Sequence, residues 1–340
     1  MTALAMMAFG ITLGVIGLVI FPWGVPLIPI GWVFTIGGGR YLQVVIGHHA
    51  VHNRFFRHAR ANRALVQTIT VALLIQDFDG YFKDHVLTHH ALQQFARRGD
   101  PDLEALIAFG FKPGMSKAAL WRRLRRSLVS PAFHLAFAEA RLHSNFVTAS
   151  PLRRVAAVMF CALVATLLIL QPALIAPAVV IVFIPLTVGY QASALLQFTS
   201  EHLWMMPCRE GETLRQHAAA LTRGRFCGDA APSPDLRGRA RIAAWTRWWV
   251  RLFTIHAMVR IAVLPGDLVD HDLHHLAPGR LDWANSSLDR IEMNKDDKYE
   301  LTEVWGLGEA IDTVFEVLSA LPEEPAEAAS SSTRHIFGSM

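Results

Sequence analysis

The chain has 340 residues, 52% of them hydrophobic and only 18% charged, with a mean hydropathy of +0.31, which points away from a soluble chain and excludes a disordered one. The formal net charge of +4 does not mark a nucleic-acid binder, because the 32 Lys and Arg are segregated along the chain rather than gathered into one basic stretch. Three cysteines, Cys161, Cys208 and Cys227, without any C-x-x-C spacing, make neither a disulfide framework nor a thiolate metal site and suit polar segments that face a reducing cytoplasm.

From Met1 to Gly39 no residue is charged, and no basic residue precedes the apolar stretch as in a signal peptide. A second uncharged block of 46 residues runs from Val155 to Ser200. A hydrocarbon core about 30 Å thick needs about 20 helical residues, so each block is long enough for two crossings. Prolines at 22, 26 and 29, and at 172 and 177, supply the turns. The predicted spans are 3–21, 27–47, 155–171 and 178–199.

Of the 32 basic residues, only Arg40 and Arg334 lie outside 54–154 and 209–298, and the two proline turns carry none. The positive-inside rule then places both polar segments and both termini in the cytoplasm. Arg40 falls inside the second span as drawn and is expected at its cytoplasmic interface, with residues 41–52 continuing the helix out of the lipid. The apolar run Ala64 to Gln76 is too short to cross and reads as an interfacial or buried helix. The resulting organisation is a first transmembrane hairpin (1–52), a cytoplasmic segment (53–154), a second hairpin (155–200), a cytoplasmic cap (201–321) and a disordered tail (322–340).

Sixteen histidines occur, and ten fall in four places at the membrane edges of the polar segments, nine of them, all but His49, spaced as candidate ligands. His48 and His52 are four residues apart, which on a helix puts both imidazoles on one face, while His49 points elsewhere. His85 and His89 repeat that spacing, with His90 about 100° round the helix. His271, His274 and His275 combine three- and four-residue spacings, and His202 stands where the last span leaves the bilayer. Eight or nine neutral imidazoles exceed what one tetrahedral ion uses and suit two ions with positions left open for chemistry. Metal-bound imidazoles donate their second N–H to a carboxylate or carbonyl. The acids beside the clusters, Asp84, Glu201, Asp270 and Asp272, with Asp77 and Asp79 upstream, are the candidates for that supporting role. His58, His134, His143, His217, His256 and His335 are read as ordinary hydrogen-bonded or exposed residues.

The order H-x-x-x-H, H-x-x-x-HH and H-x-x-HH, interleaved with two hairpins over roughly residues 27–278, resembles the integral-membrane fatty acid desaturase and hydroxylase superfamily. Glu201-His202 is similar to the extra Glu-His element of membrane alkane hydroxylases, and Asp100-Pro101-Asp102 to the motif that follows the second box in many desaturases and carotenoid ketolases. The second box has one residue more between its first two histidines than many desaturases, and the first lacks the glutamate of the alkane hydroxylases. The resemblance implies two iron ions held by His48, His52, His85, His89, His90, His202, His271, His274 and His275. It further implies O2 as co-substrate, a fatty acid or acyl-lipid substrate among membrane lipids, and electrons from outside. No His-Pro-Gly-Gly haem motif is present, so the donor expected is an external ferredoxin or rubredoxin with its reductase. Arg122, Arg123, Arg125 and Arg126, with Arg237, Arg239 and Arg241, are candidates to dock it, although the same charges serve topology and anionic lipid.

The expected fold is all-α: four transmembrane helices in two hairpins, with a cytoplasmic helical cap holding a di-metal site, in a bacterial-type inner membrane. The expected activity is O2-dependent desaturation of an aliphatic chain. Hydroxylation of a fatty acid or alkane, decarboxylation to a terminal alkene, and carotenoid ketolation or hydroxylation are alternatives on the same scaffold. A metal transporter is disfavoured because the uncharged cores contain no His, Asp or Glu at mid-membrane. A membrane zinc hydrolase would use fewer histidines plus a carboxylate ligand.

Overall fold

A computed structural model describes residues 1–279, 282–296 and 301–323. All but the first two positions of the expected disordered tail lie outside the described residues. The chain is 72% helical, and its described strands are two three-residue segments, Gly224–Phe226 and Glu303–Trp305, paired in parallel.

The first hairpin packs Thr2–Val19 antiparallel against Leu27–Tyr41. Small residues make the contact: a Cβ on Gly10 would stand 2.5 Å from the Gly31 carbonyl oxygen, and one on Gly17 2.8 Å from that of Gly24. Between helices in lipid, where no hydrophobic force pulls them together, such close backbone approach supplies the packing. The second helix runs on through a π-helical turn, Leu42–Gly47, into His48–Val51, which carries the first histidine pair beyond the apolar zone.

In the second hairpin Pro151–Leu170 is followed by one long helical run, Pro172–Glu201, that ends at His202. Its middle is π-helical over Val179–Phe183 and Pro185–Gly189, as expected where Pro185 cannot donate to the helical ladder. Outward side chains such as Leu163, Ile169 and Leu170 are exposed, the pattern of a protein associated with a membrane.

Among the described residues three helices are long and apolar enough to cross a bilayer: Thr2–Val19, Pro151–Leu170 and Pro172–Glu201. The segment 27–47, expected as the second span, is not among them, because its C-terminal end carries Arg40, Tyr41 and Gln43. Arg40 is enclosed by protein, only 2% exposed, with Nη1 donating to Gln43 at 2.7 Å and Nη2 to Gln197. A fourth candidate, unforeseen in the sequence, is the pair Gly238–Ala262 and Gly266–Leu276, bent by 101°. The run at 64–76 falls in the helix Ala59–Leu73, which buries Val66, Ile69 and Leu73 along one face and is not a candidate span.

The two polar segments do not form separate units. Phe95 to Phe137 of the first share one core with Leu203, Trp204 and Leu221 of the second and with Ile311, Val314, Phe315 and Leu318 of the last helix, Leu307–Ala320. That helix lies against both Tyr190–Glu201 and Lys117–Val129, tying the polar layer to the end of the second hairpin.

Candidate metal centre

The first pair is carried as expected: His52 N donates to His48 O at 3.1 Å, so both imidazoles leave one helical face. The second box differs. Phe82–His89 is π-helical, and His90 N donates to His85 O at 3.1 Å across five residues. The wider turn pairs His85 with His90, their Nε2 atoms 3.2 Å apart, and sends His89 to another group of rings. The third box sits on the helix His271–Leu276, delivered by the 101° bend. Gly266 makes that bend with φ +62°, and a Cβ there would stand 2.5 Å from Val45 Cγ2.

Two adjoining sets result. His48, His52, His85 and His274 present donor atoms within 4.8 Å of one another, as do His89, His202, His271 and His275. His274 Nε2 is the hub of the first set, 2.8 Å from His48 Nε2, 3.2 Å from His52 Nε2 and 3.1 Å from His90 Nε2. In the second, His271 and His275 bring their Nε2 atoms to 3.0 Å. The rings of His90 and His275 stack at 4.4 Å, where the sets meet.

This donor set fits two cations. Ring nitrogens face one another at hydrogen-bond distance, and both nitrogens of buried His202 lack any partner among the described residues. A buried polar atom left so is costly unless something satisfies it. Burial, followed by repulsion among neighbouring imidazoles, holds His48, His85, His90, His274 and His275 well below the usual histidine range. Burial does the same to His202 and His271, and lowers His52 to about 3. These rings are therefore neutral near pH 7 with lone pairs available for a metal. His89 is the exception: burial opposes its charge, but the Asp100 and Asp102 carboxylates outweigh burial and raise it to about 9.

Asp100 binds His89 Nδ1 through both oxygens, at 3.0 and 2.9 Å, and also accepts from the backbone of Ala96 and Asp102. With the Nδ1 proton directed at Asp100, Nε2 is the atom left for a cation. Glu201 Oε1 lies 3.3 Å from His271 Nε2 and 3.5 Å from Arg225 Nη2, and accepts from Gln197 at 3.1 Å. The other acids proposed from sequence serve other partners. Asp84 accepts from Gln76 at 2.6 Å, Asp270 from Ser286 at 2.9 Å and from Ser287, and Asp272 from the Leu273 amide and Arg290, both at 2.9 Å. Asp77 caps the turn at Gly80, and Asp79 pairs with Arg63. None of these hydrogen bonds goes to a ring of the two sets. Three contacts went unforeseen: Asp100 on His89, the Tyr81 hydroxyl 3.2 Å from His48 Nδ1, and Asp267 2.7 Å from His49 Nε2. His49 stays out of both sets and stacks on Trp283 at 4.8 Å. Of these, only Asp100 carried a local signal, as the Asp before Pro that opens a helix.

A polar cavity of about 40 Å³ separates Arg40 from the first set; Gln43, Tyr81, Gln197, Glu201 and His271 help to line it. A family model described as fatty acid desaturase matches residues 22–305 of the chain. No curated protein matches it.

Proposed function

The chain belongs to the fatty acid desaturase family, and from that membership we propose that it is a membrane di-iron enzyme that uses O2 and external electrons to insert a double bond into an aliphatic acyl chain. The observation that carries this reading is the convergence of nine imidazoles, from three boxes and His202, into two adjoining sets. His48, His52, His85, His90 and His274 would hold one iron, and His89, His202, His271 and His275 the other. Two irons so held supply the activation of O2 needed to remove hydrogen from an unactivated C–H bond.

The protein's part is to hold and to exclude. Asp100 fixes the His89 ring, Tyr81 meets the far side of His48, and the buried Arg225 balances the Glu201 carboxylate beside His271. Burial of the rings keeps bulk water from the reacting face. The fold is read as two transmembrane hairpins, Leu27–Tyr41 serving as the second span, with termini and centre on the cytoplasmic side of a bacterial-type inner membrane. A ferredoxin or rubredoxin with its reductase would supply electrons at the exposed Arg122, Arg125 and Arg126.

Expression of the wild type and of His274→Ala, followed by lipid profiling, tests the reading. New double bonds with the wild type alone support it. Alcohols, terminal alkenes or oxidised carotenoids would replace desaturation by the corresponding reaction, and one zinc per chain without iron would overturn the di-iron assignment.

A further inference from the structure

Outside the histidine centre, one other group of metal-ligating side chains converges among the described residues. Cys208, Glu212 and His217 bring a thiol sulfur, a carboxylate oxygen and a ring nitrogen within 4.8 Å of one another. Glu212 Oε2 accepts from His217 Nδ1 at 3.0 Å and from the Arg209 amide at 3.0 Å, which fixes the carboxylate over the turn. His217 is buried at 3% exposure, whereas Cys208 is exposed, so the group opens to solvent on the sulfur side.

The three donors belong to one short closed loop. Leu203 N donates to Leu221 O at 3.0 Å, joining the two ends of the segment that follows His202. Within it, Thr213 and Gln216 form a reciprocal cap that sets the start of the helix Leu214–Ala220, on which His217 rides. That helix packs on His271–Leu276, and Arg215 Nη2 donates to Leu276 O at 3.1 Å. The loop therefore touches two of the three segments that bring histidines to the second set, the one ending at His202 and the helix His271–Leu276.

We propose that Cys208, Glu212 and His217 form a separate mononuclear site for a borderline-soft divalent cation, zinc above all, with water completing the tetrahedron. Thiolate, carboxylate and imidazole in a three-protein-ligand set are donors that zinc accepts together, and the mixed sulfur set disfavours magnesium and calcium. The cysteine spacing excludes a thiolate-only site but leaves this mixed one open, and its C-x3-E-x4-H pattern is local in sequence. Binding releases the thiol proton, because the thiolate is the ligand. The ion would staple the outer half of the loop, as the Leu203–Leu221 hydrogen bond closes its base. The assignment is independent of the oxidase reading, since it uses none of the nine imidazoles.

Cobalt added to the purified full chain with its histidine sites already loaded provides the test, because only a sulfur ligand gives a thiolate-to-cobalt charge-transfer band in the near ultraviolet. The band is expected in the wild type and in the Cys161→Ser and Cys227→Ser variants, reduced in Glu212→Gln, absent in Cys208→Ser, and bleached by zinc. Cys208→Ser should also lose about one zinc per chain with histidine-bound metal unchanged. Since Cys208 is exposed, that substitution leaves the core intact. Absence of the band in wild type saturated with cobalt, or its persistence in Cys208→Ser, would overturn the proposal.

Discussion

Asp100 accepts the His89 Nδ1 hydrogen bond at 2.9 Å although the two residues stand eleven apart in the chain, and both are fully buried. A carboxylate in this position fixes the tautomer and the ring plane of a metal-binding imidazole. Asp100→Asn is therefore expected to weaken metal retention about 10- to 100-fold, read as metal remaining after dialysis against graded chelator. Unchanged retention would show that His89 is oriented by its packing alone.

The nine imidazoles should act as a unit. Removing His274, whose Nε2 contacts three other rings, is expected to lower iron from about two per chain to about one or fewer and to abolish turnover. His49→Ala, outside both sets, should keep its iron. Iron analysis on the two variants side by side separates a ligand from a neighbour.

Gly266 stands at a positive φ with Val45 against it. Gly266→Ala should cost about 2 kcal/mol or more, from backbone strain and overpacking together, and should reduce iron by displacing the third box. Combining it with Val45→Ala should restore part of the loss, because the clash but not the strain is relieved. Thermal unfolding of the single and double variants measures both.

Asp229 lies against Arg251 at 3.0 Å and His256 at 3.1 Å, and the Arg251 hydrogen bond holds its carboxyl at about 2, below the usual 3.8. A depressed carboxyl stabilises the folded state above its unfolded pKa, and the gain is lost as pH falls through the folded value. Wild type and Asp229→Asn should therefore differ in melting temperature above pH 4 and converge as pH approaches 2. The partly exposed pair contributes no more than about 1 kcal/mol, so equal melting curves at every pH would mean that solvent screens it completely.

Charge reversal at Arg122, Arg125 and Arg126 should slow turnover supported by the natural donor, more at low than at high salt, and leave iron content unchanged. Turnover indifferent to reversal would assign these charges to lipid and topology.

Much of this centre could be read along the chain. The four-residue spacing of His48 and His52 sits on a regular turn, and helical geometry predicts their shared face. At His85 and His89 the rings still stack at 5.3 Å, but a π-helical turn also brings His90 Nε2 to His85 Nε2, and nothing local in FKDHVLTHH announces that turn. Adjacency in sequence does not fix a hydrogen-bond partner: Asp84 meets Gln76, Asp270 meets Ser286 and Ser287, and Asp272 meets Arg290. Tyr81 and Asp267 stand four residues before His85 and His271, yet each meets a first-box ring, His48 and His49, across a long chain distance that spacing cannot encode. The hairpins were legible from missing charge, whereas the bent pair at Gly238–Ala262 and Gly266–Leu276 was obscured by the basic residues of its first half.

The helix Leu307–Ala320 seals the core shared by both polar segments, and Glu303–Trp305 hydrogen-bonds to Gly224–Phe226 far behind it. A nascent chain thus carries every histidine of the centre before the helix that completes this shared core has been made. A chain stopped short of residue 307 therefore carries all nine imidazoles but lacks the helix that completes this core.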